Sequence, residues 1–250
     1  MKVLNFIHRF RSREEFSLLR RDFILRTLCL CLFSLGLICK GRAETSQTPT
    51  AAADDFSSLG MKVSVTIIFD TSGSMNDNRK LVMAKQAFNW WLETAPKQSI
   101  VQWSLWVFDS RQQAPLNLID RKPNAADEVQ RRIAGLTANG GTPLGKTINA
   151  VTKIIEAENH KAEEGKADIL RQVVLIFTDG KDSDLKISAM QKTITHLRNA
   201  GSEVFSIGYQ GEGDYLSVVS DKFIMVGDEQ QLKTGLSEFT YFIEKGGSAK

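Results

Sequence analysis

Hydrophobic and polar positions change period repeatedly along this chain, and each change marks an element. Lys62–Phe69 is a β-branched run that stops at Asp70. Arg79–Glu93 then carries Leu81, Ala84, Phe88, Trp91 and Leu92 at helical spacing. Ile100–Phe108 predicts a strand and Ala114–Leu118 a short edge strand. Ala125–Ala134 predicts a helix, and Pro143–Ala157 another, with Leu144, Ile148, Val151 and Ile154/Ile155 on one face. Gln172–Phe177 is a continuous apolar run, the mark of a parallel strand buried on both faces. Leu185–Ala200 predicts a helix that stops at Gly201. Glu203–Ile207 and Phe223–Val226 read as strands, and Glu229–Phe242 as a closing helix.

Alternation of this kind predicts an α/β fold: a doubly wound, mostly parallel central sheet with helices on both faces. The domain fills 61–245, enough chain for one core without disulfides. Residues 44–60 are small and polar (Glu44-Thr-Ser-Gln-Thr-Pro) and read as a linker that cannot bury a core. Residues 246–250 read as a frayed tail.

Composition narrows the class. Of 250 residues, 42% are apolar and 24% charged, which excludes a disordered chain, a collagen and a multi-span membrane protein. The net charge of +3 is unevenly placed. Of 32 basic and 29 acidic residues, nine and three lie in 1–43, a local net of +6. The rest of the chain is left at −3, with no electrostatic reason to expect nucleic acid. All three cysteines (Cys29, Cys31, Cys39) precede the domain, so disulfides, zinc thiolates and thiol catalysis are excluded from it.

Residues 1–43 read as an export signal. A basic stretch ends in Arg20-Arg21-Asp22-Phe23-Ile24, and an apolar run of 11 residues follows from Leu28 to Ile38. As helix that run is about 16 Å long, against roughly 30 Å of hydrocarbon, so it does not span comfortably. Gly41 and Ala43 are the small residues of a signal-peptidase cut before Glu44. The twin arginines resemble the bacterial twin-arginine export signal, with departures at Leu19 and Leu25. Cleavage leaves an exported, periplasmic domain; without cleavage, this segment is the chain's one membrane anchor.

In open α/β sheets, ligands bind outside the carboxyl ends of the strands. Just past Phe69 the sequence reads Asp70-Thr-Ser72-Gly-Ser74, and just past Phe177 it reads Thr178-Asp179-Gly180. A third polar loop, Asn139-Gly-Gly-Thr142-Pro143, precedes a helix. Two carboxylates (Asp70, Asp179) and three hydroxyls (Ser72, Ser74, Thr142) therefore converge on one sheet edge. Hard oxygens in a compact set suit Mg²⁺ better than Ca²⁺, which wants more ligands; Mn²⁺ and Ca²⁺ are the alternatives.

The spacing Asp70-x-Ser72-x-Ser74, then Thr142, then Asp179 resembles the metal-ion-dependent adhesion site (MIDAS) of von Willebrand factor type A domains. The resemblance covers 61–245, and all five positions match in residue type. It implies that Ser72, Ser74 and Thr142 bind the metal directly and that Asp70 and Asp179 act through water. It also implies one open coordination position, filled by an Asp or Glu carboxylate of a partner protein. Loops Thr71–Asn78, Asn139–Gly145 and Lys181–Asp184 would then supply specificity. Family members also shift affinity by moving the last helix, here Glu229–Phe242.

Competing readings share these residues. Ser72, Ser74 or Thr142 alone suits a helix cap, and an empty site would leave a passive structural subunit. Gly140–Thr147 matches the phosphate-loop pattern of a nucleotide-binding enzyme. That pattern needs a buried strand before it, which Arg131–Ala138 does not resemble, and Pro143 removes a phosphate-cradling N–H. On the metal-site reading, Lys146 and Thr147 are solvated first-turn residues. His160 and His196 are isolated, so no nucleophile–base pair is visible. Asp182 and Asp184 read as a solvated loop. Trp103 and Trp106, three apart on one strand, should face opposite sides of the sheet, and one of Trp90 and Trp91 should be exposed.

Overall fold

The computed structural model describes residues 62–97, 99–109, 114–168, 170–180, 186–209 and 214–246. The leader, the linker, residues 247–250 of the tail, and Asp182 and Asp184 with their loop lie outside the described residues. Strand β1 is Val63–Asp70, and it enters a short 3-10 segment, Gly73–Arg79. Helix α1 (Lys80–Thr94) leads to β2 (Ile100–Asp109) and β3 (Ala114–Lys122). Helices α2 (Ala126–Ala134) and α3 (Leu144–Glu163) follow, then β4 (Arg171–Thr178) and α4 (Ile187–Asn199). The chain closes with β5 (Ser202–Tyr209), a 3-10 turn (Asp214–Val218), β6 (Lys222–Val226) and α5 (Glu229–Lys245).

The six strands lie in the order β3-β2-β1-β4-β5-β6. All pairings are parallel except β2 with β3, which is antiparallel at the edge. The strand order reverses between β1 and β4, the crevice where such sheets take ligands. Every residue of β1 is buried, as a central strand covered by helices on both faces requires.

Two apolar layers cover the sheet. On one face α1, α2 and α5 pack over Val65, Ile67, Phe69, Leu175, Phe177 and Phe205. An aromatic cluster fills it: Phe88 meets Phe69 at 5.0 Å, Phe177 at 5.5 Å and Trp91 at 6.1 Å between ring centroids, and Trp91 meets Phe239 of α5 at 5.4 Å. On the other face α3 and α4 pack over Ile68, Val174, Ile176 and Val204. Trp103 belongs to the first layer and Trp106 to the second. Trp91 is buried while Trp90 is 36% exposed. No helix among the described residues is long and apolar enough to cross a membrane.

Three expectations change. Strand β3 runs on to Lys122, because Arg121 takes a left-handed backbone (φ 41°) and bonds its N–H to the buried Ser104 hydroxyl, keeping the edge paired past a bulge. Helix α3 continues to Glu163 through a polar stretch without an apolar stripe; pairs such as Lys161 with Glu158 serve it locally. Thr147 is not solvated. It is buried, and its hydroxyl donates to the Pro143 carbonyl one turn back, which removes the cost of covering it.

Candidate metal centre

Asp70 ends β1 and Thr178 ends β4, so parallel pairing sets the two strand ends side by side at the switch point. The Asp70 carboxyl is fully buried. Its Oδ1 accepts the Ser72 backbone N–H at 2.7 Å. Its Oδ2 accepts the Thr178 hydroxyl at 2.6 Å and the Asp179 backbone N–H at 3.3 Å. Burial pushes this carboxyl up to about 6, and the Asp179 charge adds to the rise, while the hydrogen bonds from Ser72 and Thr178 pull the other way.

The hydroxyls form a chain onto the second carboxylate. Ser72 Oγ lies 3.0 Å from Ser74 Oγ, and Ser74 Oγ donates to Asp179 Oδ1 at 2.8 Å. Asp179 Oδ2 accepts from Lys80 Nζ at 2.7 Å. Ser72 sits at the cap position of the 3-10 segment, yet its side chain makes no cap bond, so the hydroxyl is committed to the cluster instead. The residue at the cap position of α3 is Pro143, not Thr142.

Backbone contacts bring in the third loop. Gly73 N–H donates to the Gly140 carbonyl and Asn139 N–H to the Thr71 carbonyl, each at 2.8 Å. A Cβ on Gly73 would stand 3.2 Å from the Gly140 oxygen, so a side chain there would crowd this approach. Gly140 itself has φ +83°. Thr142 is buried in that loop. The Thr71 hydroxyl pins the first loop to β2 through the Phe108 carbonyl at 2.7 Å. Asn78 and Arg79 are both left-handed (φ 48° and 60°), a strain of about 1–2 kcal/mol each that turns the chain sharply into α1.

Asp70, Ser72, Ser74 and Asp179 thus meet in one hydrogen-bonded cluster, with Thr142 on a loop docked against it. Two participants were not legible in the motif. Thr178 holds Asp70, and its position just ahead of Asp179 was the available signal. Lys80 pairs with Asp179, and a basic residue at a helix start was the signal for it. No three His, Cys, Asp or Glu side chains gather among the described residues, so the donor set is two carboxylates and hydroxyls. His160 and His196 lie away on exposed helix faces, beside Glu164 and Glu156.

The Gly140–Thr147 stretch does not follow a strand. Helix α2 and the irregular residues 135–139 precede it, and the Thr147 hydroxyl is turned back onto Pro143. A phosphate cradle needs a strand before it and that hydroxyl free for Mg²⁺.

Comparison with known proteins agrees with this fold. The von Willebrand factor type A domain family matches residues 64–233. Among solved structures, a von Willebrand factor type A protein from Catenulispora acidiphila has a TM-score of 0.58 at 18% identity, over 74% of this chain and 43% of its own. Proximal thread matrix protein 1 of the mussel byssus, solved with a zinc-occupied MIDAS motif, has a TM-score of 0.58 at 17% identity, over 72% of this chain and 47% of its own. The manganese-loaded TRAP protein of Plasmodium vivax has a TM-score of 0.54 at 13% identity, over 72% and 74%. The chain spans less than half the length of the first two structures. A search of curated protein sequences finds no match. The matched segment takes in both strand-end loops and most of the domain, and the chain belongs to the von Willebrand factor type A domain family.

Proposed function

We propose that this chain is an exported, metal-dependent protein-binding module and not a catalyst. The observation that carries the reading is Asp70. It is wholly buried, it accepts only neutral donors among the described residues, and a second carboxylate adjoins it. A buried anion without a counter-cation is costly. A divalent cation at the cluster would supply the missing charge, and the donors, all hard oxygens, fit one.

On the family pattern, Ser72, Ser74 and Thr142 would hold Mg²⁺ directly, and Asp70 and Asp179 through water. Mn²⁺ and Ca²⁺ are the other cations such a set accepts. A bound ion with one open position is a Lewis acid for an external carboxylate, here the Asp or Glu of a partner protein. The rest falls to the chain's own residues. Thr178 and the Ser72 N–H orient Asp70, and Ser74 links the Ser72 hydroxyl to Asp179. The loops Thr71–Asn78 and Asn139–Gly145 would add specificity. The leader supports export to the periplasm, where such a module would serve the assembly or maturation of a protein complex. The net charge of −3 beyond residue 43 gives nucleic acid no foothold.

Hydrolysis gains no support from the geometry. The Ser74 hydroxyl donates to a carboxylate that is itself paired with Lys80, so among the described residues no unpaired base adjoins it. The test is a pull-down from periplasmic extract with the full chain, in Mg²⁺ and in EDTA, beside Asp70→Ala. A partner retained only by the intact chain in Mg²⁺ is the expected result. A partner indifferent to both changes would overturn the reading and move binding to another surface. A calorimetric titration giving no Mg²⁺ heat would leave the passive subunit.

A further inference from the structure

Helix α1 begins against its own field. A helix amino end is the positive pole of the macrodipole and favours carboxylates. This helix opens with Arg79 at the cap and Lys80 at the first position, with no acidic residue in its first turn. The two left-handed residues before Lys80 set the direction from which it enters. Its Nζ ends 2.7 Å from Asp179 Oδ2, with the lysine side chain 12% exposed and the carboxylate fully covered. The two oxygens of Asp179 are thereby divided. Oδ1 accepts from the Ser74 hydroxyl, which in turn meets the Ser72 hydroxyl, and Oδ2 accepts from Lys80.

We propose that Lys80 is a resident counter-cation that weakens the site's hold on its divalent ion and leaves the occupied site net positive, so that it draws an anionic ligand. The proposal rests on reading the cluster as a metal site. Asp70 and Asp179 would be neutralised by a divalent ion alone, and Lys80 then adds a positive charge. A neutral site exerts little pull on an approaching carboxylate, whereas a positive one steers it. The same ammonium opposes the ion across Asp179, because like charges repel strongly where water is largely excluded. One residue thus exchanges metal affinity for ligand affinity, and removing its charge should move the two in opposite directions.

The experiment uses the full chain as wild type, K80M, K80Q, K80R and D70A. Mn²⁺ serves as the metal probe, with the free aqua ion followed by electron paramagnetic resonance. Acetate serves as the carboxylate probe, followed by water-proton relaxation of the Mn²⁺-loaded protein. K80M and K80Q are expected to bind Mn²⁺ at least about tenfold more tightly than wild type. K80R, which keeps the charge, should stay within about threefold of wild type. Acetate should bind the loaded K80M and K80Q several-fold more weakly than the loaded wild type.

Melting temperatures in EDTA and in Mn²⁺ guard against a folding artefact. Without Lys80 the Asp179 charge stands uncompensated, so K80M should gain more from Mn²⁺ than wild type does. Equal Mn²⁺ affinity in wild type, K80M and K80Q, with equal thermal gains, would overturn the role of Lys80 and leave the metal site standing. Mn²⁺ binding that D70A matches, or that no variant shows, would instead overturn the metal site itself.

Discussion

At its amino end, β4 starts with Arg171; at its carboxyl end, it runs into Asp179. Arg171 is answered entirely by the fold. Its Nε and Nη2 reach both oxygens of Glu203 on β5, at 2.5 and 2.7 Å, and Nη1 and Nη2 reach the carbonyls of Ile243 and Phe242 near the end of α5. Its guanidinium also lies 5.7 Å from the Phe242 ring centroid. A planar, always-charged fork suits this use, because it closes a carboxylate and a helix terminus together. At the other end, Asp70 and Asp179 adjoin each other, and among the described residues only Lys80 answers them with charge. One end of the strand is electrostatically finished; at the other, two carboxylates share one ammonium. A charge the fold completes is architecture, and a charge it leaves incomplete is where the proposed ligand would act.

Substitutions at the two ends should therefore separate stability from binding. Arg171→Met leaves the half-buried Glu203 and the last-turn carbonyls of α5 without their partner. It should cost about 2–4 kcal/mol in urea unfolding. The Asp70–Asp179 cluster stands at the far end of a strand of eight residues, about 25 Å away, so Mg²⁺ affinity should change by less than about threefold. A loss of Mg²⁺ binding in this variant would break the comparison.

Asp70→Asn should do the reverse and abolish Mg²⁺ binding while leaving the metal-free protein at least as stable at neutral pH. The pH profile sharpens this. Folding raises the Asp70 carboxyl from 3.8 to about 6, so the folded state holds its proton more tightly than the unfolded state does. That contribution is complete below pH 3.8 and lost as pH rises to about 6. Metal-free wild type should fall relative to Asp70→Asn across that window, by of order 2–3 kcal/mol, and keep that constant deficit at higher pH. A difference curve flat from pH 4 to 7 would remove the buried-anion argument. The smallest effect is expected from Gly73→Ala. Its Cβ would press on the Gly140 oxygen from 3.2 Å. About 1 kcal/mol of stability and a several-fold drop in Mg²⁺ affinity should follow as the Thr142 loop is pushed outward.

The sequence made the fold legible wherever burial imposes a period. The continuous run at 172–177 and the stripes of α1 and α3 come back as buried residues at those positions. It was mute where local hydrogen bonds replace burial, at the tail of α3, the bulged end of β3 and Thr147. The site divides in the same way. Asp70, Ser72, Ser74 and Asp179 are legible because strand ends fix their place. Lys80 is not, because its role depends on a carboxylate 99 residues away and on a left-handed turn that Asn78-Arg79 does not advertise.

Strand β1 also has a history that its final burial conceals. Its neighbours are β2, which follows soon after in sequence, and β4, which begins only at Arg171. A chain emerging from its amino end can pair β1 with β2 and β2 with β3 long before β4 exists. For that interval a strand that ends up buried on both faces is an open edge, with Val65, Ile67, Ile68 and Phe69 beside unpaired backbone. The growing chain is therefore most prone to aggregate between the synthesis of β3 and that of β4. A ribosome pause or a truncation in α3 would be more damaging than one after β5, where only a peripheral strand and the last helix remain to be added.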